Sequence, residues 1–318
     1  MSNTNTAPTR RNQLLINQAI AQNQEFKVGV VSPTTDESLK SVILAATEKL
    51  IDPILFGPKK DILNLAKAIN IDINGLAIID TPNRVSAAKQ AVKMAAEGNL
   101  HALMKGDIHT DDLMREVVAR ESGLRTKRRI SHCEVMDVPS YDKLLIFSDA
   151  AINVTPDLEA KIDIVQNAIF FAHALGIKKP NVALLASVET VLEYMPANMD
   201  AAILCKMAER GQITGGILDG PLSVDLAISK EAMRLKHFTP ILPGLPDIFI
   251  APDLNVANIA TKLVSYLAHS QSGGIVVGAT VPVVLMRRSS PVPELLLSCA
   301  LAKIYSNYLS TNEQKESS

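Results

Sequence analysis

Three short segments carry side chains whose types and spacing suit the handling of an anion. In Lys105-Gly106-Asp107-Ile108-His109-Thr110, followed by Arg115, an apolar run meets a glycine and then a helix-starting pattern. Glycine lets backbone approach a ligand, the free N–H groups of a first helical turn hold negative charge, and Lys105 and Arg115 add cations. The segment reads as a phosphate or carboxylate site. It also fits an ordinary capped loop with solvated charges, because neither a P-loop nor a GxGxxG pattern is present. Arg125-Thr126-Lys127-Arg128-Arg129 is a cationic run in a chain otherwise balanced at 32 Lys+Arg against 33 Asp+Glu. Such a run is commonly a solvated face, but it would also bind the phosphates of a large anionic ligand. Third, Arg287-Arg288-Ser289-Ser290 and Glu294 lie where an apolar strand pattern gives way to a helix. A guanidinium grips phosphate at two points, and a carboxylate beside it can act as base. Taken alone, a surface Arg–Glu pair is the simpler reading of that segment.

Carboxylates also follow apolar runs at Asp149-Ala150-Ala151-Ile152-Asn153, Asp219-Gly220-Pro221-Leu222 and Asp253-Leu254-Asn255. All three point to the loop edge of a sheet, and all three equally suit Asx turns or helix caps. The six histidines show no HxxxH or HExxH spacing and no GxSxG occurs, so metallohydrolase and serine-hydrolase chemistry find no support. Cys133, Cys205 and Cys299 are odd in number, far apart and without metal-ligand spacing, which favours a reducing cytoplasm over a disulfide framework. A net charge of −1, 4% aromatics and no Trp argue against a nucleic-acid binder. No apolar run is long enough to span a bilayer.

The elements that must position these residues follow from periodicity. Short apolar, β-branched runs precede helical patterns, Lys27–Val31 before 37–51, Pro53–Phe56 before 61–68 and Leu76–Ile79 before 85–97, and the alternation continues with Ala102–Met104 before a helix that Thr110 would cap. Strand-then-helix alternation marks βαβ units on a parallel sheet. The rhythm changes at 130–138 and 144–147, two strands joined by Pro139-Ser140-Tyr141-Asp142 without a helix between them. A second α/β region follows, with helices at 157–175, 198–210, 224–234 and 256–269 and strands at 181–185, 216–218 and 247–250. Gly273-Gly274 then introduces a strand over 275–286 and a last helix near Pro293. The expected architecture is a discontinuous first domain, 1–127 with 273–318, and an inserted second domain, 128–272. The polar ends are expected to be frayed, with ordered structure between about residues 13 and 310. With 318 residues, two cores of ordinary domain size are affordable by length, and the cleft between two such domains is a common place for small-molecule sites.

Six stretches in series resemble the phosphate acetyltransferase / phosphate butyryltransferase family, particularly its butyryl branch: 105–115 (KGDIHTDDLMR), 123–132 (GLRTKRRISH), 147–168, 219–228 (DGPLSVDLAI), 246–268 and 285–302 (LMRRSSPVPELLLSCALA). The resemblance implies reversible transfer of a short acyl group between coenzyme A and inorganic phosphate. It implies two three-layer α/β domains with mostly parallel sheets, related to isocitrate- and isopropylmalate-type dehydrogenases, with a cleft between them. Coenzyme A would be a substrate, with no bound cofactor and no metal; the protein would be a cytoplasmic homodimer that binds neither nucleic acid nor membrane. In the family, the last segment carries a Ser-Arg pair and an acidic residue six positions after the Arg. Arg288 and Glu294 keep that spacing, while Arg287 stands at the Ser position, leaving Ser289 or Ser290 to supply a hydroxyl. By resemblance Glu294 takes the thiol proton and Arg288 holds the phosphoryl group. His109, Thr110 and Arg115 match the family's HT motif and the arginine after it, and Arg125, Arg128, Arg287 and Asp219 complete the expected substrate-binding set. The departure at Arg287 keeps a second reading open, an acyl-CoA or acyl-phosphate binding protein without catalysis or with altered specificity. A dehydrogenase reading would need metal-binding carboxylates and a dinucleotide site that the sequence does not display.

Overall fold

The computed structural model describes residues 7–285 and 291–316. The chain divides into two compact units, Met1–Arg128 with Gly273–Ser318, and Arg129–Ser272.

The first unit opens with a helix, α1 (Arg10–Ala21), inside the segment that reads as a polar tail. Thr9 caps it by accepting from the Asn12 N–H, and its apolar face, Leu15, Ile16 and Ala19, packs on the chain's last helix. Four strand–helix units follow: β1 (Lys27–Val31) and α2 (Asp36–Thr47), β2 (Asp52–Gly57) and α3 (Lys59–Ala68), β3 (Ala77–Asp80) and α4 (Arg84–Ala96), β4 (Ala102–Lys105) and α5 (Thr110–Val118). The strands are parallel in the order β3-β2-β1-β4. Val28, Val30, Leu55, Phe56, Leu103 and Met104 are buried, as strands covered on both faces require. Thr35 and Ser38 form a reciprocal capping box at α2, and Asn83 accepts from the Ser86 N–H at α4. The cap of α5 is His109 rather than Thr110, which is its first helical residue.

The second unit begins with an antiparallel pair, β5 (Ser131–Asp137) and β6 (Leu145–Ser148). It continues through α6 (Leu158–Ala174), β7 (Asn181–Leu185), α7 (Pro196–Glu209), β8 (Ile217–Leu222), α8 (Val224–Ile228), α9 (Lys230–Leu235), β9 (Ile248–Ile250) and α10 (Leu254–Leu267). Its order is β5-β6-β9-β7-β8, with β6, β9, β7 and β8 mutually parallel. Two expectations change here. The helix over 224–234 is two helices, because Ser229 takes extended backbone, φ −105 and ψ 109, and caps the second by accepting from the Ala232 N–H. The strand at 216–218 runs on through Pro221 to Leu222, so Asp219 lies within β8, opposite Ala183, rather than in the loop after it.

The chain then returns through β10 (Gln271–Val277), β11 (Val283–Val284) and α11 (Val292–Glu316). The expected single strand over 275–286 is broken at Gly278, whose φ of 91° reverses the chain. β11 therefore pairs antiparallel with β10 and parallel with β4. From Leu295 to Tyr305 every residue of α11 is buried, so this stretch is covered all round, and the helix runs past residue 310.

Candidate functional site

The carboxyl ends of β1, β3 and β4 bring three loops together in the first unit. After β4, the Gly106 N–H donates to the Val31 carbonyl at 2.9 Å and the Asp107 N–H to the Ser32 carbonyl at 2.6 Å. A Cβ on Gly106 would stand 2.5 Å from the Val31 oxygen and 2.6 Å from that of Ser32, so only glycine permits this approach. Ser32 itself takes a left-handed φ of 56°, turning the chain sharply out of β1.

That approach places the Asp107 carboxylate, buried in the loop, beside the residue that opens α4. Arg84 donates from Nη2 to Asp107 Oδ2 at 2.6 Å, and the Thr34 hydroxyl lies 3.4 Å from the same oxygen. The Arg84 side chain stays half exposed. Ser32, Thr34, Pro58, Asp61, Asn83, Arg84 and Val85 line a pocket of about 400 Å³. Its size falls within the range of small-molecule sites, and it lies at the strand-end edge where open α/β sheets bind ligands. A guanidinium pinned on one side by a buried carboxylate, with two hydroxyls alongside, can bind the oxygens of a phosphate.

The sequence-derived residues are distributed unevenly around this pocket. Lys105 turns back to the carbonyl of Gly106 at 3.2 Å. His109 is exposed and Thr110 half-buried at the α5 start. Arg115 sits on the exposed face of α5, paired with Asp112 at 3.0 Å. The cationic run is held elsewhere in the first unit: the Thr126 hydroxyl donates to the Gly278 carbonyl at 2.6 Å, and the Thr280 N–H to the Leu124 carbonyl at 2.9 Å. Arg125 is thereby exposed and Arg128 half-buried alongside the β10–β11 turn. Glu294 is half-buried in the first turn of α11. Arg287, Arg288 and Ser289 lie outside the described residues.

In the second unit the carboxylates hold backbone. Asp219 accepts from the Ile241 N–H at 2.6 Å, fixing the loop after α9. Asp149 accepts from the N–H groups of His132, Ala151, Ile152 and Asn153 at 2.8–3.1 Å. Asp253 caps α10. Sequence reading missed Arg84 and its pocket. The available signal was Asn83-Arg84 at the end of a strand and the start of a helix, the same placement that singled out residues 105–110.

Burial sets the protonation of the three thiols. Burial pushes Cys299 up to about 12 and, with Asp219 and Glu209 adding to it, Cys205 up to about 12; burial raises Cys133 further still. Among the described residues no group of three or more His, Cys, Asp or Glu side chains could hold a metal ion, and no helix is long and apolar enough to cross a membrane.

Residues 81–303 match the family described as Phosphate acetyl/butaryl transferase. A phosphate acetyltransferase from Rhizobium meliloti is 48% identical over 276 residues, 87% of each chain. A phosphate butyryltransferase from Clostridium acetobutylicum is 39% identical over 284 residues, covering 89% of this chain and 94% of the relative. Among solved structures, a branched-chain phosphotransacylase from Enterococcus faecalis V583 superposes with a TM-score of 0.77 at 28% identity, covering 88% of this chain and 99% of the other. A 4-hydroxythreonine-4-phosphate dehydrogenase from Burkholderia phymatum, 12% identical with a TM-score of 0.51, covers 89% of this chain and 99% of its own, and shares the fold.

Proposed function

The chain belongs to the phosphate acetyl/butyryl transferase family, a phosphate acyltransferase interconverting acyl-CoA plus phosphate with acyl phosphate plus coenzyme A, and we propose that transfer is direct, with both substrates bound. In the acyl-CoA-forming direction the thiolate sulfur of coenzyme A attacks the acyl carbonyl carbon. A C–S bond forms, the C–O bond to phosphorus breaks, and phosphate leaves with the electron pair. The thiol proton goes to a carboxylate, which we assign to Glu294. A free thiol with pKa near 8.5 is mostly protonated at neutral pH, so a placed base raises the attacking fraction. Arg288 is assigned to the phosphoryl oxygens, where a guanidinium offsets charge gathering on the leaving group.

The observation that carries this reading is the Arg84–Asp107 pair at the mouth of a pocket with room for more than a phosphate. It supports assigning the pocket to a phosphate-bearing part of coenzyme A, the larger substrate. The strongly raised pKa values of all three cysteines support a direct route over an acyl-cysteine intermediate, because a thiol, unlike a thiolate, is a poor nucleophile. Coenzyme A enters as substrate, the cytoplasm is the compartment proposed, and a second copy of the chain is the partner proposed.

The test mixes protein, acetyl or butyryl phosphate and coenzyme A, and follows thioester absorbance. Wild-type protein is expected to form thioester, and Arg288→Ala to lose at least about 100-fold in kcat/KM, in the range for removing one charged transition-state contact. Near-normal turnover by a folded Arg288→Ala variant would take Arg288 out of the reaction.

A further inference from the structure

The Arg84–Asp107 pair is built differently from Arg115–Asp112 and Arg234–Glu231, which join residues three apart on the solvent side of one helix. Exposed pairs of that kind contribute little to stability. Arg84 instead meets a carboxylate from another loop, 23 residues on, whose side chain is 7% exposed while its own is 51% exposed. Burying one carboxylate costs solvation that a half-exposed partner returns only in part. Stability alone is therefore a weak reason for the arrangement. Net charge is no better a reason. Among the pocket lining and Asp107, one guanidinium stands against two carboxylates, those of Asp107 and Asp61.

What the pair does supply is direction. Asp107 is itself fixed, because its N–H donates to the Ser32 carbonyl at 2.6 Å and the Thr34 hydroxyl lies 3.4 Å from its Oδ2. Its Oδ2 then takes Arg84 Nη2 at 2.6 Å. A long side chain that is immobilised only when a ligand arrives weakens binding by about 2- to 12-fold. We infer that Asp107 is a positioning residue for coenzyme A: it holds the Arg84 guanidinium as the substrate's phosphate meets it, so that the side chain is ordered on folding and not on binding. This rests on the assignment of the pocket to a phosphate-bearing part of coenzyme A. The two roles open to Asp107 have opposite signs. As a bare charge it repels phosphate, and removing that charge would lower KM. As an anchor it keeps the guanidinium in place, and removing it raises KM although the pocket becomes more positive.

Thioester formation is measured at saturating acetyl or butyryl phosphate with coenzyme A varied, for wild type, Asp107→Asn, Arg84→Ala and the double variant. Asp107→Asn is expected to raise KM for coenzyme A about 3- to 5-fold, with a smaller change in kcat. The double variant is expected to match Arg84→Ala, at about 10-fold, because an anchor has nothing to hold once the guanidinium is gone. A role only in shaping the loop would multiply the two effects, to about 30- to 50-fold. Circular dichroism and melting temperature establish that each variant folds, and Asp107→Ala stands in should the Asn variant fail to. A KM that is unchanged or lower in the folded variant, or effects that multiply, overturns the inference while leaving the pocket assignment intact. An unchanged KM in Arg84→Ala overturns both, which tells the two failures apart.

Discussion

Arg84 illustrates how a candidate ligand-binding side chain is made from ordinary parts. Its position at the first residue of α4 is set by the Asn83 cap, and its guanidinium is held by Asp107 from a loop that only Gly106 lets come close. Asp107 engages one edge of the fork and leaves the rest of a half-exposed guanidinium for a ligand. Removing that cation should weaken binding of the larger substrate without touching the reacting atoms. Arg84→Ala is expected to raise KM for coenzyme A by about 10-fold, about 1.4 kcal/mol, with kcat changed less than about 3-fold. Arg84→Lys should restore binding only in part, since an ammonium cannot serve Asp107 and a phosphate with a planar fork. Steady-state kinetics at varied coenzyme A checks this, and an unchanged KM in Arg84→Ala would show that the pocket serves some other group.

Among the elements, those whose signals are local were legible and those defined by distant partners were not. β1 to β4 could be read because each is a short apolar run followed by a helical period, and α2 and α4 carry their caps in the sequence. α1 was hidden because Arg10-Arg11-Asn12-Gln13 reads as tail, and its few apolar residues gain meaning only against α11. The break at Gly278 was hidden because glycine in a β-branched run also fits a continuous strand. The 105–110 loop was legible as a site from its glycine and helix start; Arg84 was not, since its pairing spans 23 residues. One contact between elements gives a pH prediction. His101, just before β4, accepts the Lys27 N–H of β1 on Nδ1 at 2.9 Å and stacks on Phe26. Burial lowers its pKa below 6.5, with Lys27 adding and Glu25 and Asp52 opposing. The folded chain thus favours neutral imidazole, while the unfolded chain binds the proton at its ordinary pKa. Stability should fall as pH drops below about 6.5 and be level on this account above it. Melting temperatures between pH 5 and 8 test this, and His101→Gln should flatten the acid side of the curve.

For the whole molecule, the question is whether an acyl group ever rests on the protein. Cys133 lies in β5, Cys205 in α7 and Cys299 in α11, so no thiol is placed in the loops that line the pocket. With pKa values pushed up to about 12, Cys205 and Cys299 would present roughly one thiolate in 10,000 at pH 8. Coenzyme A, a free thiol in solution, presents on the order of a quarter of itself as thiolate at that pH. Coenzyme A therefore presents far more of itself as thiolate than any of these buried cysteines, which favours the substrate over a protein thiol as the attacking group. Direct transfer makes a demand that an acyl-enzyme route does not: phosphate cannot leave acyl phosphate until coenzyme A attacks. Radiolabelled phosphate should thus enter acyl phosphate only when coenzyme A is present, and iodoacetamide on the native protein should leave turnover largely intact. Exchange of label without coenzyme A would place the acyl group on the protein, and peptide mapping of the trapped species would say on which residue.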